Sequence, residues 1–257
     1  MNELIEEAMY PLFHFSIITI NFNYYCKSQL IELTSDISQM LNNGGEVDAC
    51  FFNFSKAFDK VDHRKLVKKL IKIRVNSQIT NWTQDFLAQR TQIVVIDGYR
   101  STAKPVTSGV PQGSVVGLVL FLVYINDMLA DINSEVRLFA DDTVIYNLAE
   151  NNTKLRDDLS KLEIWETAWS MEFNPTKCEH LKFTRKRQNT TTNSYTLHNT
   201  VMFKVPTVKY HGVKLQSSLR WMKIPTSLPE KLPADLGISV AKFHQFFPTS
   251  EKRPTSS

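Results

Sequence analysis

The sequence predicts an α+β sheet domain, and three observations carry that expectation. Short apolar runs bounded by turn residues are interspersed with longer stretches whose apolar residues recur at helical spacing. Strands are followed by helices, and hairpins cluster late, rather than in the strict alternation of a wholly parallel sheet. Of the 257 residues, 42% are hydrophobic and 22% charged, which excludes wholesale disorder and supplies enough apolar surface for a core. Eight glycines and ten prolines exclude a collagenous or low-complexity chain.

Taken in order, residues 28–41 place Leu30, Ile31, Ile37 and Leu41 at helical spacing and stop at Asn42-Asn43-Gly44-Gly45, a helix terminator. Residues 47–54 form a short apolar strand. Residues 63–73 and 79–87 read as amphipathic helices. Residues 92–97 are β-rich and end in a turn at Gly98, and 115–129 form an apolar helix behind a Pro-Gln-Gly entry. Residues 136–139 and 143–146 flank Ala140-Asp141-Asp142 as a hairpin. Residues 152–171 form a longer helix with Leu155, Leu159, Leu162, Trp165 and Trp169 on one stripe, expected to face the core. Residues 188–194 are a polar run and read as a loop. Past Pro225, prolines at four-residue spacing forbid helix and central strand, so that end is expected to be irregular.

The formal charge of +4 averages two unlike parts. Residues 1–50 hold one basic residue, Lys27, against seven acids; the remainder holds 29 against 19. Residues 60–74 alone hold Lys60, Arg64, Lys65, Lys68, Lys69, Lys72 and Arg74 with one acid, Asp62, and Lys182, Arg185, Lys186 and Arg187 form a second group. Such clusters either bind phosphate without sequence preference or form a solvated face. Three widely spaced cysteines, Cys26, Cys50 and Cys178, do not describe a disulfide framework or a zinc site and fit a reducing cytoplasm or nucleus. The apolar stretch 10–25 is broken by His14, Asn21 and Asn23 and is too short to span a bilayer, and Glu3, Glu6 and Glu7 before it are unlike a secretory signal. An intracellular chain is expected.

The sharpest chemistry lies at Asp141-Asp142. One aspartate suits a tight turn, but two adjacent carboxylates between apolar strands repel each other, and a divalent cation relieves that repulsion. Oxygen-only ligands favour Mg²⁺. Phosphoryl transfer with two metals roughly 3.5–4 Å apart needs a further carboxylate from another element. Its natural source is the end of the 47–54 strand, where this chain has Asn53.

Five motifs then stand in family order over about residues 29–221. The run Phe51-Phe52-Asn53-Phe54-Ser55-Lys56-Ala57-Phe58-Asp59 resembles motif A of reverse transcriptases from non-LTR retrotransposons, especially jockey-like ones. Ser108-Gly109-Val110-Pro111-Gln112-Gly113-Ser114 resembles motif B, Phe139-Ala140-Asp141-Asp142 motif C, Asn174-Pro175-Thr176-Lys177-Cys178 motif D, and Tyr210-His211-Gly212-Val213 motif E. The resemblance implies a polymerase palm with partial fingers and no complete thumb, between an atypical leader (1–27) and a Pro-rich tail (222–257). The implied reaction is RNA-templated DNA synthesis, with an RNA template, a DNA primer, deoxynucleoside triphosphates and Mg²⁺ as partners and no membrane.

The resemblance also assigns roles. Asp141 ligates both metals, Asp142 supports it, and Asn53 occupies the place of the motif A aspartate. Phe58 takes the aromatic position against the sugar, Gln112 and Gly113 the turn that touches incoming nucleotide and template, and Lys177 the general acid for leaving pyrophosphate. His211 stands where the family usually has Leu. With Asn53 the protein supplies two negative charges instead of three. Asp48 cannot substitute, being on the opposite strand face and roughly 16 Å away. Losing such a group typically costs at least ~10²–10³ in rate, so catalysis is expected to be badly impaired. The family's basic fingers segment and its Gly-Pro step after Val116 are absent, which reads as a fragment of a decayed element. The alternatives to an enzyme are a nucleic-acid-binding palm without chemistry and a functionless remnant of a mobile element.

Overall fold

The computed structural model describes residues 26–186 and 192–219. The leader up to Tyr25 and the tail from Arg220, on which the expectations of an acidic lead segment and an irregular end fall, lie outside the described residues.

Helix α1 (Cys26–Asn42) leads into strand β1 (Val47–Phe52) through Gly44, whose φ of +81° closes the helix. A 3₁₀ turn (Phe58–Lys60) precedes α2 (His63–Lys72) and α3 (Ser77–Leu87). Four two-residue strands follow: β2 (Thr91–Gln92), β3 (Val95–Ile96), β4 (Tyr99–Arg100) and β5 (Lys104–Pro105). Next come α4 (Val115–Ile125), the hairpin β6 (Glu135–Phe139) and β7 (Asp142–Leu148), and α5 (Asn152–Trp169). The remaining strands are β8 (Glu179–Phe183), β9 (Thr196–Leu197), β10 (Thr200–Val201), β11 (Phe203–Val205), β12 (Thr207–Tyr210) and β13 (Val213–Gln216). No described helix is long and apolar enough to cross a membrane.

One five-stranded sheet, in the order β11-β8-β1-β7-β6, organises these elements. It is antiparallel except where β11 joins β8. All six residues of β1 are buried, because both faces of the strand are covered and its side chains alternate between them. Cys50 and Phe52 enter one core with Leu66 of α2, Phe121 and Tyr124 of α4 and Leu159 and Leu162 of α5. Val47, Ala49 and Phe51 enter the other, with Leu33 and Ile37 of α1 and Val208 and Tyr210 of β12. The expected stripe on residues 152–171 is the core face of α5.

The sequence reading marks no strand at β4, β5 or β8 to β13, of which β8 and β11 belong to the central sheet, and three elements that it does mark differ. The first strand leaves the β7 ladder after Phe52, because the Asn53 carbonyl accepts from the Asn174 amide (2.8 Å) and Phe54 bridges Phe173. The helix expected over 115–129 ends at Ile125, where the amides of Asn126 and Met128 tighten onto carbonyls three residues back. The 92–97 run is two short strands of an exposed ribbon that turns at Asp97-Gly98, both with positive φ.

Buried charges hold the layers together. Asp48, with no exposure, accepts from Asn193 Nδ2 (2.6 Å) and the Tyr195 hydroxyl (2.9 Å) and pairs with His180 Nε2 (2.9 Å). Burial pushes its carboxyl up, and these partners outweigh that and hold it below its ordinary value. Of the polar run 188–194, residues 188–191 lie outside the described residues, and Asn193 is anchored in the core by its bond to Asp48. On the same side of the sheet, Lys69 sits 4% exposed with its ammonium 3.6 Å from the centre of the Trp169 ring, bonded to Asp127 and to the Tyr124 carbonyl. Burial lowers its pKa to about 8, against the pull of Asp127.

A lysine whose folded pKa is depressed binds fewer protons folded than unfolded between about 8 and its ordinary value. Stability must then rise with pH across that window. In urea unfolding from pH 7 to 10, the wild type should gain stability relative to Lys69→Met as pH passes about 8. Parallel pH profiles would show that Lys69 stays charged.

Candidate active site

The site begins at the β6–β7 hairpin. Phe139 pairs with Asp142, so Ala140 and Asp141 form a two-residue turn. Ala140 takes a φ of +52°, a left-handed conformation that costs an L-residue about 1–2 kcal/mol. Asp141 and Asp142 are half-buried side by side. Burial first, and then the Asp141 charge, push the Asp142 carboxyl above its ordinary value. Two like charges held this way are a standing repulsion that a cation relieves.

The β1–β7 register decides what faces them. Its last pair is Phe52 with Thr143, so Asn53 and Asp142 are the first residues beyond the paired stretch on their two segments. By strand alternation both belong to the face that carries Phe51 and Val144. Asn53 thus follows the end of β1 on the carboxylates' side of the sheet, and its amide carries a neutral oxygen. Asp48, five residues back, lies on the other face inside its own hydrogen-bond network. Asp62 caps α2 by accepting from the amides of Arg64 and Lys65. Among the described residues no three His, Cys, Asp or Glu side chains gather as a metal-binding group. Asp141 and Asp142 with the Asn53 oxygen fit a hard divalent cation by donor chemistry, one carboxylate short of what two such ions would share.

The motif B segment docks on the chain after β1. The Gly109 amide donates to the Val61 carbonyl (2.8 Å) and the Val110 amide to the Phe58 carbonyl (2.9 Å). Ser108 Oγ donates to the Asp59 carbonyl (2.9 Å), and Gln112 Nε2 to Asp59 Oδ1 (3.2 Å). His63 Nε2 lies 2.8 Å from the Gly109 carbonyl. Phe58 stacks on Phe121 of α4 at 4.5 Å, half-buried, which fixes the ring's plane. A Cβ on Gly109 would stand 2.8 Å from Asp59 Cα, and one on Gly117 2.0 Å from the Pro111 carbonyl oxygen. Gly113, φ +79°, faces open space, so backbone is presented to any ligand there. The hydrogen bonds tie Gln112 to Asp59 and not to Asp141 or Asp142.

Lys177 is exposed on a tight turn. Its amide donates to the Asn174 carbonyl (2.9 Å), while Asn174 Oδ1 accepts from the amide and hydroxyl of Thr176. Because the Asn174 amide bonds Asn53, this turn and the end of β1 are one structural unit.

His211 belongs to the same constellation. It occupies, with Gly212, the turn between β12 and β13, both at positive φ. Its Nδ1 stands 3.4 Å from Asp142 Oδ2, its ring edge meets Phe139 at 4.9 Å, and its side chain is 4% exposed. Burial lowers its pKa against the pull of Asp141, so the imidazole facing Asp142 is favoured neutral. Sequence reasoning singled out His211 only as an unusual residue at its motif position. The approach of Gly109 to Asp59, and the Arg137–Asp36 pair with Tyr146 bonded to Asp36 (2.6 Å) behind the hairpin, had no signal beyond the motif glycines themselves.

Residues 1–215 match the protein family described as "Reverse transcriptase (RNA-dependent DNA polymerase)". The chain is similar to the RNA-directed DNA polymerase from mobile element jockey of Drosophila melanogaster, 26% identical over 214 residues, spanning 79% of this chain and 23% of that protein. It is also similar to the jockey polymerase of Drosophila funebris, 29% identical over 192 residues, spanning 70% of this chain and 21% of that one. The chain thus spans less than a quarter of the length of these curated relatives. Among solved structures, apo telomerase from Candida tropicalis truncated from its C-terminal domain superposes with a TM-score of 0.57 at 12% identity, covering 84% of this chain and 43% of that one. Telomerase of the same species in complex with a TWJ fragment of telomeric RNA gives 0.54 at 12% identity, covering 76% and 34%. These two likenesses establish the fold.

The glycines predict a graded outcome. Gly109→Ala and Gly117→Ala should each lower the unfolding free energy by about 2–4 kcal/mol through backbone overlap. Gly113→Ala, with open space before it, should cost only about 1–2 kcal/mol of left-handed strain. Equal losses in denaturant melts of all three would contradict the close docking of the two motifs.

Proposed function

Since the chain belongs to the reverse transcriptase (RNA-dependent DNA polymerase) family, we propose that residues 28–221 serve as the palm, with part of the fingers, of an RNA-directed DNA polymerase from a jockey-like non-LTR mobile element. Residues 1–27 and 222–257 would flank it. What supports this reading is the β1–β7 register, whose last pair, Phe52 with Thr143, lies one residue before Asn53 and one after Asp142, beside the Ala140-Asp141 turn. The work of such a domain on an RNA template and a DNA primer belongs in the cytoplasm or nucleus.

Asp141 and Asp142 would hold Mg²⁺, with Asn53 as a weak third donor. Bound divalent cations supply such a site with charge neutralisation at the transferred phosphoryl group. The protein's own part is positioning. Phe58, held flat on Phe121, offers its ring to the sugar of an incoming deoxynucleotide, and Gly113 lets backbone approach the nucleotide and template beside Gln112. Lys177, exposed and on a turn bonded to Asn53, gives a proton to the leaving pyrophosphate oxygen as the phosphorus–oxygen bond breaks. Asn53 removes one negative charge from the place where the motif would supply it, so the reaction is strongly slowed.

A second reading is favoured by the same residue. With two carboxylates in place of three, the chain can retain nucleic-acid binding without chemistry.

Primer extension on an RNA template, with the chain beside its Asn53→Asp and Asp141→Asn versions, separates these. Asn53→Asp should raise extension by at least ~10²-fold, and Asp141→Asn should remove it. Equal extension by the chain and Asn53→Asp would overturn the impairment. Salt-sensitive binding of template–primer without extension in any version supports the second reading, and neither binding nor extension the functionless remnant.

A further inference from the structure

The basic run over residues 60–74 is sorted by the structure into satisfied and free cations. Lys60 pairs with Glu172. Lys65 Nζ donates to the Ala168 carbonyl and to Ser170 Oγ, each at 2.7 Å. Lys69 is buried in its aromatic cage, and Asp62, the one acid, is engaged in capping the helix. Arg64, Lys68 and Lys72 remain, all exposed, and none joins an ion pair among the described residues.

These three recur every four residues along α2, so they form one row on its outer side, stepping about 6 Å at a time. That step is of the order of the separation between neighbouring phosphates on a nucleic-acid strand. Leu66 and Leu70 hold the inner side of the helix in the core. That core covers the Phe52 face of the sheet, whereas Asn53 and Asp142 lie on the Phe51 face. The row is thus on the opposite layer from the carboxylates. Arg74 is exposed just past the helix end. Like charges four apart destabilise a helix by a few tenths of a kcal/mol per pair, and no acid on the helix beyond Asp62 offsets them. A polyanion laid along the row would.

We propose that the outer face of α2, through Arg64, Lys68 and Lys72, is a sequence-independent docking surface for a nucleic-acid backbone, separate from the polymerising site. The proposal rests on reading the chain as a nucleic-acid polymerase palm and assigns that partner a second contact. The phosphates it neutralises release counterions, so the contact is read from salt dependence. For single strands the slope of log K against log salt is about −0.7 per phosphate neutralised.

The test uses the full chain and a fluorescein-labelled single-stranded RNA 20-mer, with anisotropy titrations across salt concentrations. The triple variant Arg64→Gln, Lys68→Gln, Lys72→Gln should lower the steepness of the slope by about 2 and weaken binding at least ten-fold at low salt. The charge-conserving Arg64→Lys, Lys68→Arg, Lys72→Arg version should keep the wild-type slope. All three positions are exposed, and thermal melts of the triple variant should match or exceed the wild type. Wild-type binding with an unchanged slope in the triple variant overturns the docking surface and leaves the polymerase reading standing. A wild type without salt-sensitive RNA affinity overturns both, and binding to vesicles rich in anionic lipid instead assigns the row to a membrane.

Discussion

Strand β1 is hydrogen-bonded along both edges and covered on both faces, and the positions that matter are measured from it. With β7 on one side and β8 on the other, a slip of one residue would turn every β1 side chain to the wrong core. Asp48 makes such a slip especially costly. A carboxylate removed from water costs several kcal/mol unless its oxygens are met, and here His180, Asn193 and Tyr195 meet them from β8 and the segment leading to β9. A shifted strand would bury that charge without partners. The Asp48 contacts fix β1 against β8, while its register with β7 ends at Phe52 and Thr143, next to Asn53 and Asp142.

From that fixed end the site is assembled by backbone more than by side chains. The chain beyond Asn53 crosses to residues 172–174, which carries the Lys177 turn with it. It then turns beneath Gly109, where the absence of a Cβ lets two loops approach within van der Waals distance. The candidate side chains therefore sit on short, hydrogen-bonded segments rather than on long free loops, which limits their displacement.

The charges of the domain fall into two groups with opposite logic. Asp48, Lys69, Asp158 and Glu166 are buried and bonded to nearby groups, and they stitch layers. Asp141 and Asp142 lie together at a strained turn with, among the described residues, only His211 paired to Asp142, a local excess of negative charge. Arg64, Lys68 and Lys72 are a local excess of positive charge. Excess at a defined place, left uncompensated by the fold, is where a charged ligand gains most.

The sequence alone determined the fold class, the five described helices, β1 and the β6–β7 hairpin, and the five motifs, because helical and alternating periodicities and turn residues are local signals; the strands from β8 onward were not marked in it. It also determined the chemical deficit, since Asn53 is neutral wherever it sits. Only the tertiary structure decided which charges are free. Lys65 and Lys69 read like Lys68 in the sequence, yet their partners, Ser170, Asp127 and Trp169, are brought from α4, α5 and the segments that follow them. Asn193 read as loop and is a core hydrogen bond. His211 was a lone departure from a motif until a second hairpin set it against Asp142. In each case the deciding contact joins residues distant in the chain, and no local pattern encodes the distance between them.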